Sequence, residues 1–146
     1  MTNEELAQKL RDLRDFLIIA GYEESHAFRY THIARYLERM PESAEAMMRE
    51  HRLTEIPQVG KLIAMYIREI IQTGTSSKQR DWEEHAPYSV VELCHVKGLG
   101  PKTARVLFAK FGIKSLQELK EAARGEELRA VLSDKLLQEI DEADSA

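Results

Sequence analysis

The chain has 146 residues, 43% of them hydrophobic and 32% charged, with a formal net charge of −4; that length serves one domain with a core or two small packed subdomains. No run of 18 apolar residues is present, which argues against a membrane-crossing helix and a membrane partner, and Cys94, the single cysteine, excludes an internal disulfide. The acidic start Thr2-Asn3-Glu4-Glu5 lacks the basic and apolar regions of a secretion signal, so the expected location is the cytoplasm, or the nucleoid of a bacterium.

Taken in chain order, almost everything reads as helix, and no alternating stretch argues for a strand. Asn3 can cap a first helix in which Leu6, Leu10, Leu13, Phe16 and Leu17 recur at three- and four-residue spacing; Gly21 ends it. A second helix opens at Glu24 or Ser25, carries Ala27, Tyr30, Ile33, Ala34 and Leu37, and stops before Met40-Pro41. Ser43 caps a short third helix reaching Met48, and a fourth is expected over residues 62–71, closed by Gly74. Residues 75–80 are polar and free of apolar side chains, the signature of a linker. Beyond it, residues 82–85 form a helical turn and Ser89 caps a helix over 90–95. Pro101 opens another to Phe111, Ser115 caps one over 116–124, and residues 128–142 finish the chain as one or two helices. The expectation is an all-α protein with a helical domain over 1–74, a linker over 75–85 and a second helical domain over 86–146.

One stretch carries more information than the rest. In Val96-Lys97-Gly98-Leu99-Gly100-Pro101-Lys102-Thr103-Ala104 two glycines flank one apolar residue, and a proline then starts a helix. Glycine opens backbone angles closed to other residues, and proline at the first helical position loses no hydrogen bond. The unpaired amides of such a helix start, at the positive end of its dipole, attract anions. Lys97 and Lys102 add charge, Arg105 follows one turn later, and Leu99 should point inward and pin the turn to the core. A turn of this type grips a phosphate without reading a base.

The design occurs twice. Forty residues upstream, Leu53-Thr54-Glu55-Ile56-Pro57-Gln58-Val59-Gly60-Lys61-Leu62-Ile63-Ala64 pairs Ile56 with Val96, Val59 with Leu99, Gly60 with Gly100 and Ala64 with Ala104, and Gln58 stands where the later copy has Gly98. Two such turns between helices resemble tandem helix-hairpin-helix motifs, a sequence-independent DNA-binding module. Charge agrees locally. Residues 93–115 contain five basic residues and no acid, whereas residues 117–146 contain nine acids against four basic residues. A basic middle lies between acidic ends.

The pattern around the turns resembles family X DNA polymerases. Residues 25–41, Ser-His-Ala-Phe-Arg-Tyr-Thr-His-Ile-Ala-Arg-Tyr-Leu-Glu-Arg-Met-Pro, look like the helix before that family's first hairpin, and Phe111-Gly112-Ile113-Lys114-Ser115-Leu116 looks like the segment after its second. The resemblance spans roughly residues 5–125, the lyase and fingers regions, and implies DNA binding without polymerisation. It also implies that Arg29, with His26, Tyr30, His32 and Arg35 nearby, and Lys78 contact phosphate. A monovalent cation, Na+ or K+, would be held by backbone carbonyls of Thr54, Ile56 and Val59 and of Cys94, Val96 and Leu99. The family's Schiff-base lysine position holds Tyr66, its supporting lysine is Leu62, and its His-Lys pair is replaced by Glu23 and Glu24. A phenol cannot form a Schiff base, which leaves Lys61 as the one nearby amine for deoxyribose-phosphate lyase chemistry.

The expected DNA contacts are Val59, Gly60, Lys61, Lys97, Gly98, Leu99, Gly100, Lys102, Thr103, Arg105, Arg29 and Lys78. The expected partner is duplex DNA, nicked or gapped, in repair or replication, with a polymerase or nuclease chain as protein partner. An abasic-site lyase and a protein-docking scaffold with degenerate hairpins are the rival readings. The family resemblance implies a third hairpin near Val131-Leu132-Ser133-Asp134-Lys135, but that segment lacks its glycines.

Overall fold

The computed structural model describes residues 1–143, and those residues form helices and turns with no strand. Nine α-helices follow in order: α1 (Asn3–Ile19), α2 (Glu24–Arg39), α3 (Ala44–Arg49), α4 (Lys61–Thr73), α5 (Ser77–Trp82), α6 (Pro101–Phe111), α7 (Leu116–Ala122), α8 (Glu126–Val131) and α9 (Asp134–Glu142). Two 3-10 segments, Leu53–Glu55 and Tyr88–His95, lead into the two hairpin turns. No helix is long and apolar enough to cross a membrane among the described residues.

The first helix organises the whole molecule. Leu6, Leu10, Leu13, Phe16 and Leu17 of α1 are buried, and α1 packs not only on α2 but also on α4, α5, α6 and the segment Tyr88–His95. Each fully buried side chain of this size contributes about 1.5–3 kcal/mol. Phe16 meets Tyr88 edge-on at 5.3 Å between ring centres, and His95 Nε2 lies 3.4 Å from Asp12 Oδ1. One cluster of buried apolar residues therefore runs from Leu6 to Ile140 through both hairpins.

The polar end groups differ from the sequence expectation in instructive ways. Thr2, not Asn3, caps α1, its hydroxyl accepting from the Glu5 amide at 3.0 Å. Asn3 is drawn into a longer-range role: its carboxamide accepts from the Ala44 amide and donates to the Glu42 carbonyl, both at 2.9 Å, tying the start of α1 to the start of α3. The expected linker is largely helical. Ser76 is buried and caps α5, while Glu69 accepts from both the amide and the hydroxyl of Ser77. Polar anchoring of this sort leaves no apolar period to read. Ser89 does not cap an α-helix; Pro87 precedes a 3-10 segment, and the Ser89 hydroxyl donates to the Lys114 carbonyl at 2.7 Å. Met65 of α4 is exposed.

Candidate nucleic-acid interface

The two glycine turns have the same backbone construction. In the first, the Ile56 amide donates to Leu53, Val59 to Ile56 and Ala64 to Gly60, at 3.1, 3.0 and 2.9 Å. In the second, Val96 donates to Leu93, Leu99 to Val96 and Ala104 to Gly100, at 3.3, 3.1 and 3.0 Å. Leu53, Ile56, Val59 and Ala64 are buried, and so are Leu93, Val96, Leu99 and Ala104. Apolar side chains thus clamp each turn from inside while residues 57–58 and 97–98 face solvent. Gly98 has φ +86°, and Gln58 takes the same left-handed conformation at φ +69°. For a residue with a Cβ that conformation costs roughly 1–2 kcal/mol, which the packing of the first hairpin overcomes.

Both turns end in helix starts whose amides are left open. Gly60 and Gly100 occupy the cap positions of α4 and α6 with extended backbones and no side chain to bond the first amides. The amides of Lys61, Leu62 and Ile63, and of Lys102 and Thr103, donate to nothing among the described residues. Most other helices are closed by a hydroxyl: Thr2 on α1, Ser43 on α3, Ser76 on α5, Ser115 on α7 and Ser133 on α9. The remaining two, α2 and α8, begin with acids, Glu24 and the pair Glu126 and Glu127. Among the described residues, only α4 and α6 combine unoccupied amides with a first turn free of acids. Unpaired donors at the positive end of a helix are the arrangement that binds an anion.

The cations are distributed unevenly around these two points. Lys61, Lys97, Lys102 and Arg105 are exposed, and Thr103 is half-buried. Lys102 Nζ lies 3.3 Å from Glu24 Oε2, so α2 reaches across to the second hairpin, a contact the linear sequence does not reveal. Arg105 approaches Gly21: a Cβ built there would lie 4.0 Å from the guanidinium. Lys97 and Gly98 share a cleft with Ser133 and Glu139, which places α9 beside the second turn. Arg29 is exposed and pairs with neither Glu23 nor Glu24; Glu23 faces His26, and Glu24 faces Lys102. Lys78, on α5, holds its ammonium 4.3 Å above the ring of Tyr22, and Tyr22 in turn packs at 5.1 Å on Trp82. Tyr30, at 2% exposure, is a core residue whose burial pushes its phenol pKa up.

The lyase positions are equally clear. Tyr66 is buried, and desolvation raises its pKa, whereas Leu62 is 59% exposed. Lys61 lies on the exposed side of α4, away from Tyr66. Burial likewise raises the pKa of Cys94, against Asp15, so its thiol is held in the neutral form.

The chain forms a third helix pair where the sequence shows no glycines. The helices α8 and α9 are joined through Leu132 and Ser133, and the Ser133 hydroxyl accepts from the Leu136 amide at 3.1 Å. That bond occupies a donor which the other two turns leave open, and Asp134 adds a negative charge to the same end. The third turn therefore lacks the open donors and the acid-free helix start of the other two.

Comparison with known proteins agrees with this geometry. A family model for the helix-hairpin-helix domain matches residues 1–76, and one for the SAM-like helix-hairpin-helix tandem matches residues 90–143. DNA polymerase lambda of Arabidopsis thaliana is 31% identical over 99 residues, which cover 67% of this chain and 18% of that polymerase. The two domain matches indicate DNA binding. With matched turns, open helix starts and a family model over the first 76 residues, the chain belongs to the helix-hairpin-helix domain family, in the form that resembles family X DNA polymerases.

Proposed function

We propose that this protein binds DNA without sequence preference, gripping the phosphate backbone at both hairpins, in DNA repair or replication. The observation that carries the reading is the pair of open helix starts at Gly60 and Gly100 among helices otherwise closed by hydroxyls or fronted by acids. One phosphate accepts from the amides of α4 with Lys61 beside it; another accepts from the amides of Lys102 and Thr103, with Lys97, Lys102 and Arg105 around it. Contacts of this kind fix position and carry no base information. Gly98 and Gly100 let the strand approach closely, and Val59 and Leu99 hold the turns by packing.

A Na+ or K+ ion fits the same turns. The carbonyls of Thr54 and Val59, and of Cys94 and Leu99, accept no turn hydrogen bond, while those of Ile56 and Val96 each accept one and keep a lone pair. Oxygen donors of this type suit hard cations. Such an ion would neutralise phosphate charge at the turn, and DNA affinity would then differ between K+ and Li+ at equal ionic strength.

The reading is tested by fluorescence anisotropy on intact, nicked and one-nucleotide-gapped duplexes across a salt series. Affinity should fall steeply with salt, with a log–log slope of about −0.9 for each phosphate neutralised, and Lys97→Glu/Lys102→Glu should abolish binding. No binding to any duplex at low salt would overturn the proposal. Tighter binding to the gapped duplex than to the intact one would support a role at strand interruptions.

A further inference from the structure

Beside the first hairpin lies a cleft of about 290 Å3 between the end of α3 and the face of α4, with His51, Thr54, Lys61 and Arg68 on its walls and Met48 and Ala64 at its base. Lys61, Ala64 and Arg68 are spaced to share one face of α4, and the small side chain of Ala64 leaves the space between them open. Neither Lys61 nor Arg68 has a carboxylate within ion-pair distance among the described residues. The nearby acids are engaged elsewhere. Glu69, the single acid of α4, is held by Ser77 and Arg80. Glu42, Glu50 and Glu55 all converge on Arg52, whose pKa they raise. The cleft is left concave, hydroxyl-bearing and positive, with no negative group on its wall.

His51 closes α3 in the left-handed conformation, φ +56°, with its own amide donating to the Met48 carbonyl and the Arg52 amide to the Met47 carbonyl, at 3.1 and 2.8 Å; helices commonly end this way. Here that ending sets an exposed imidazole on the cleft wall at the end of α3.

We propose that this cleft is a further phosphate subsite, taking the internal phosphodiester next to the one held at the first hairpin, with Arg68 as its cation and His51 and Thr54 as hydrogen-bond donors. The inference rests on the DNA-binding reading above and adds residues to it. Arg68 lies seven residues beyond Lys61, about 10 Å along the helix, and so carries the positive wall away from the turn. A guanidinium suits this task because its planar fork matches a pair of phosphate oxygens.

The test uses the full chain and labelled gapped duplexes that carry either a 5′-phosphate or a 5′-hydroxyl at the gap. Arg68→Ala should weaken binding to both by roughly tenfold, the worth of one charge-assisted contact, and should make the salt slope shallower by about 0.9. His51→Gly should weaken binding while leaving the melting temperature unchanged or higher, because it relieves the left-handed backbone; a purely structural role would move both together. Wild-type affinity and slope in Arg68→Ala would overturn the subsite and leave the hairpin reading intact. A loss confined to the 5′-phosphate duplex would place a strand end in the cleft and overturn the internal assignment. Wild-type protein that binds neither duplex would sink both readings.

Discussion

The two hairpins share a backbone and differ in almost everything attached to it. Their turn hydrogen bonds pair one for one, and their buried residues occupy matching positions. Yet the left-handed residue is Gln58 in one and Gly98 in the other, and the first helical residue is Lys61 in one and Pro101 in the other. The surroundings differ as well. The first hairpin borders a cleft free of acids, whereas the second has Lys102 paired to Glu24 and Lys97 in a cleft that Glu139 also lines. The lesson is that the buried apolar triplet sets the conformation: Ile56, Val59 and Ala64, or Val96, Leu99 and Ala104. Glycine only makes that conformation less costly, and neighbouring helices then decide how much of the positive field is available to an anion.

Breaking the apolar clamp should have the largest effect. Leu99→Ala removes a side chain that is 3% exposed and should cost about 2–5 kcal/mol, with loss of the turn that positions α6. Urea denaturation reads the stability, and anisotropy on the folded fraction reads the binding. A cost well under that range would show that glycine, not packing, shapes the turn.

The left-handed position gives a pair of opposite substitutions. Gly98→Ala should destabilise by roughly 1–2 kcal/mol, the penalty for a Cβ in that conformation, although the site has open space for the methyl group. Gln58→Gly should do the reverse by up to about 1 kcal/mol, since the strain it removes is partly offset by the greater freedom of glycine in the unfolded chain. Both are measured by thermal or urea unfolding; the same sign for both would end the equivalence of the two turns.

The third turn supplies a control. Ser133→Ala removes the cap of α9 and should cost about 1 kcal/mol without weakening DNA binding. Strong loss of binding in that variant would mean that α9 contributes directly to the interface.

The smallest effect on stability concerns the ion pair across the second hairpin. Glu24→Gln should change stability by less than about 1 kcal/mol, because an exposed pair contributes little. It should nevertheless raise DNA affinity and steepen the salt slope, since Lys102 is released to neutralise a phosphate. Unchanged affinity would show that Glu24 does not compete with the ligand.

Much of this architecture is legible in the chain because its signals are local. The period of α1, the stop at Met40-Pro41, the serine caps of α3 and α7 and the glycine ends of α4 and α6 each depend on residues within a turn of one another. The offset of 40 residues between the hairpins also survives as a bond-for-bond match. What escaped has long-range causes. Asn3 leaves its capping position because Ala44 offers its amide, and Ser89 because Lys114 offers a carbonyl. The polar segment after Gly74 becomes helical because Glu69 and Ser76 organise it. Gln58 defeats the glycine rule because burial on both sides outweighs the strain at one residue.

The sequence by itself therefore determined an all-helical chain with two matching hairpin turns, since helix periods, caps and glycine-proline signals are written in neighbouring residues. Only the tertiary structure decided which helix starts stay open, which lysines stay free and where the acids go. Those outcomes depend on pairs such as Lys102 with Glu24, 78 residues apart, and on the packing of α1 against both hairpins' elements. Contacts between distant residues are set by how buried surfaces fit together, and that fit has no period along the chain.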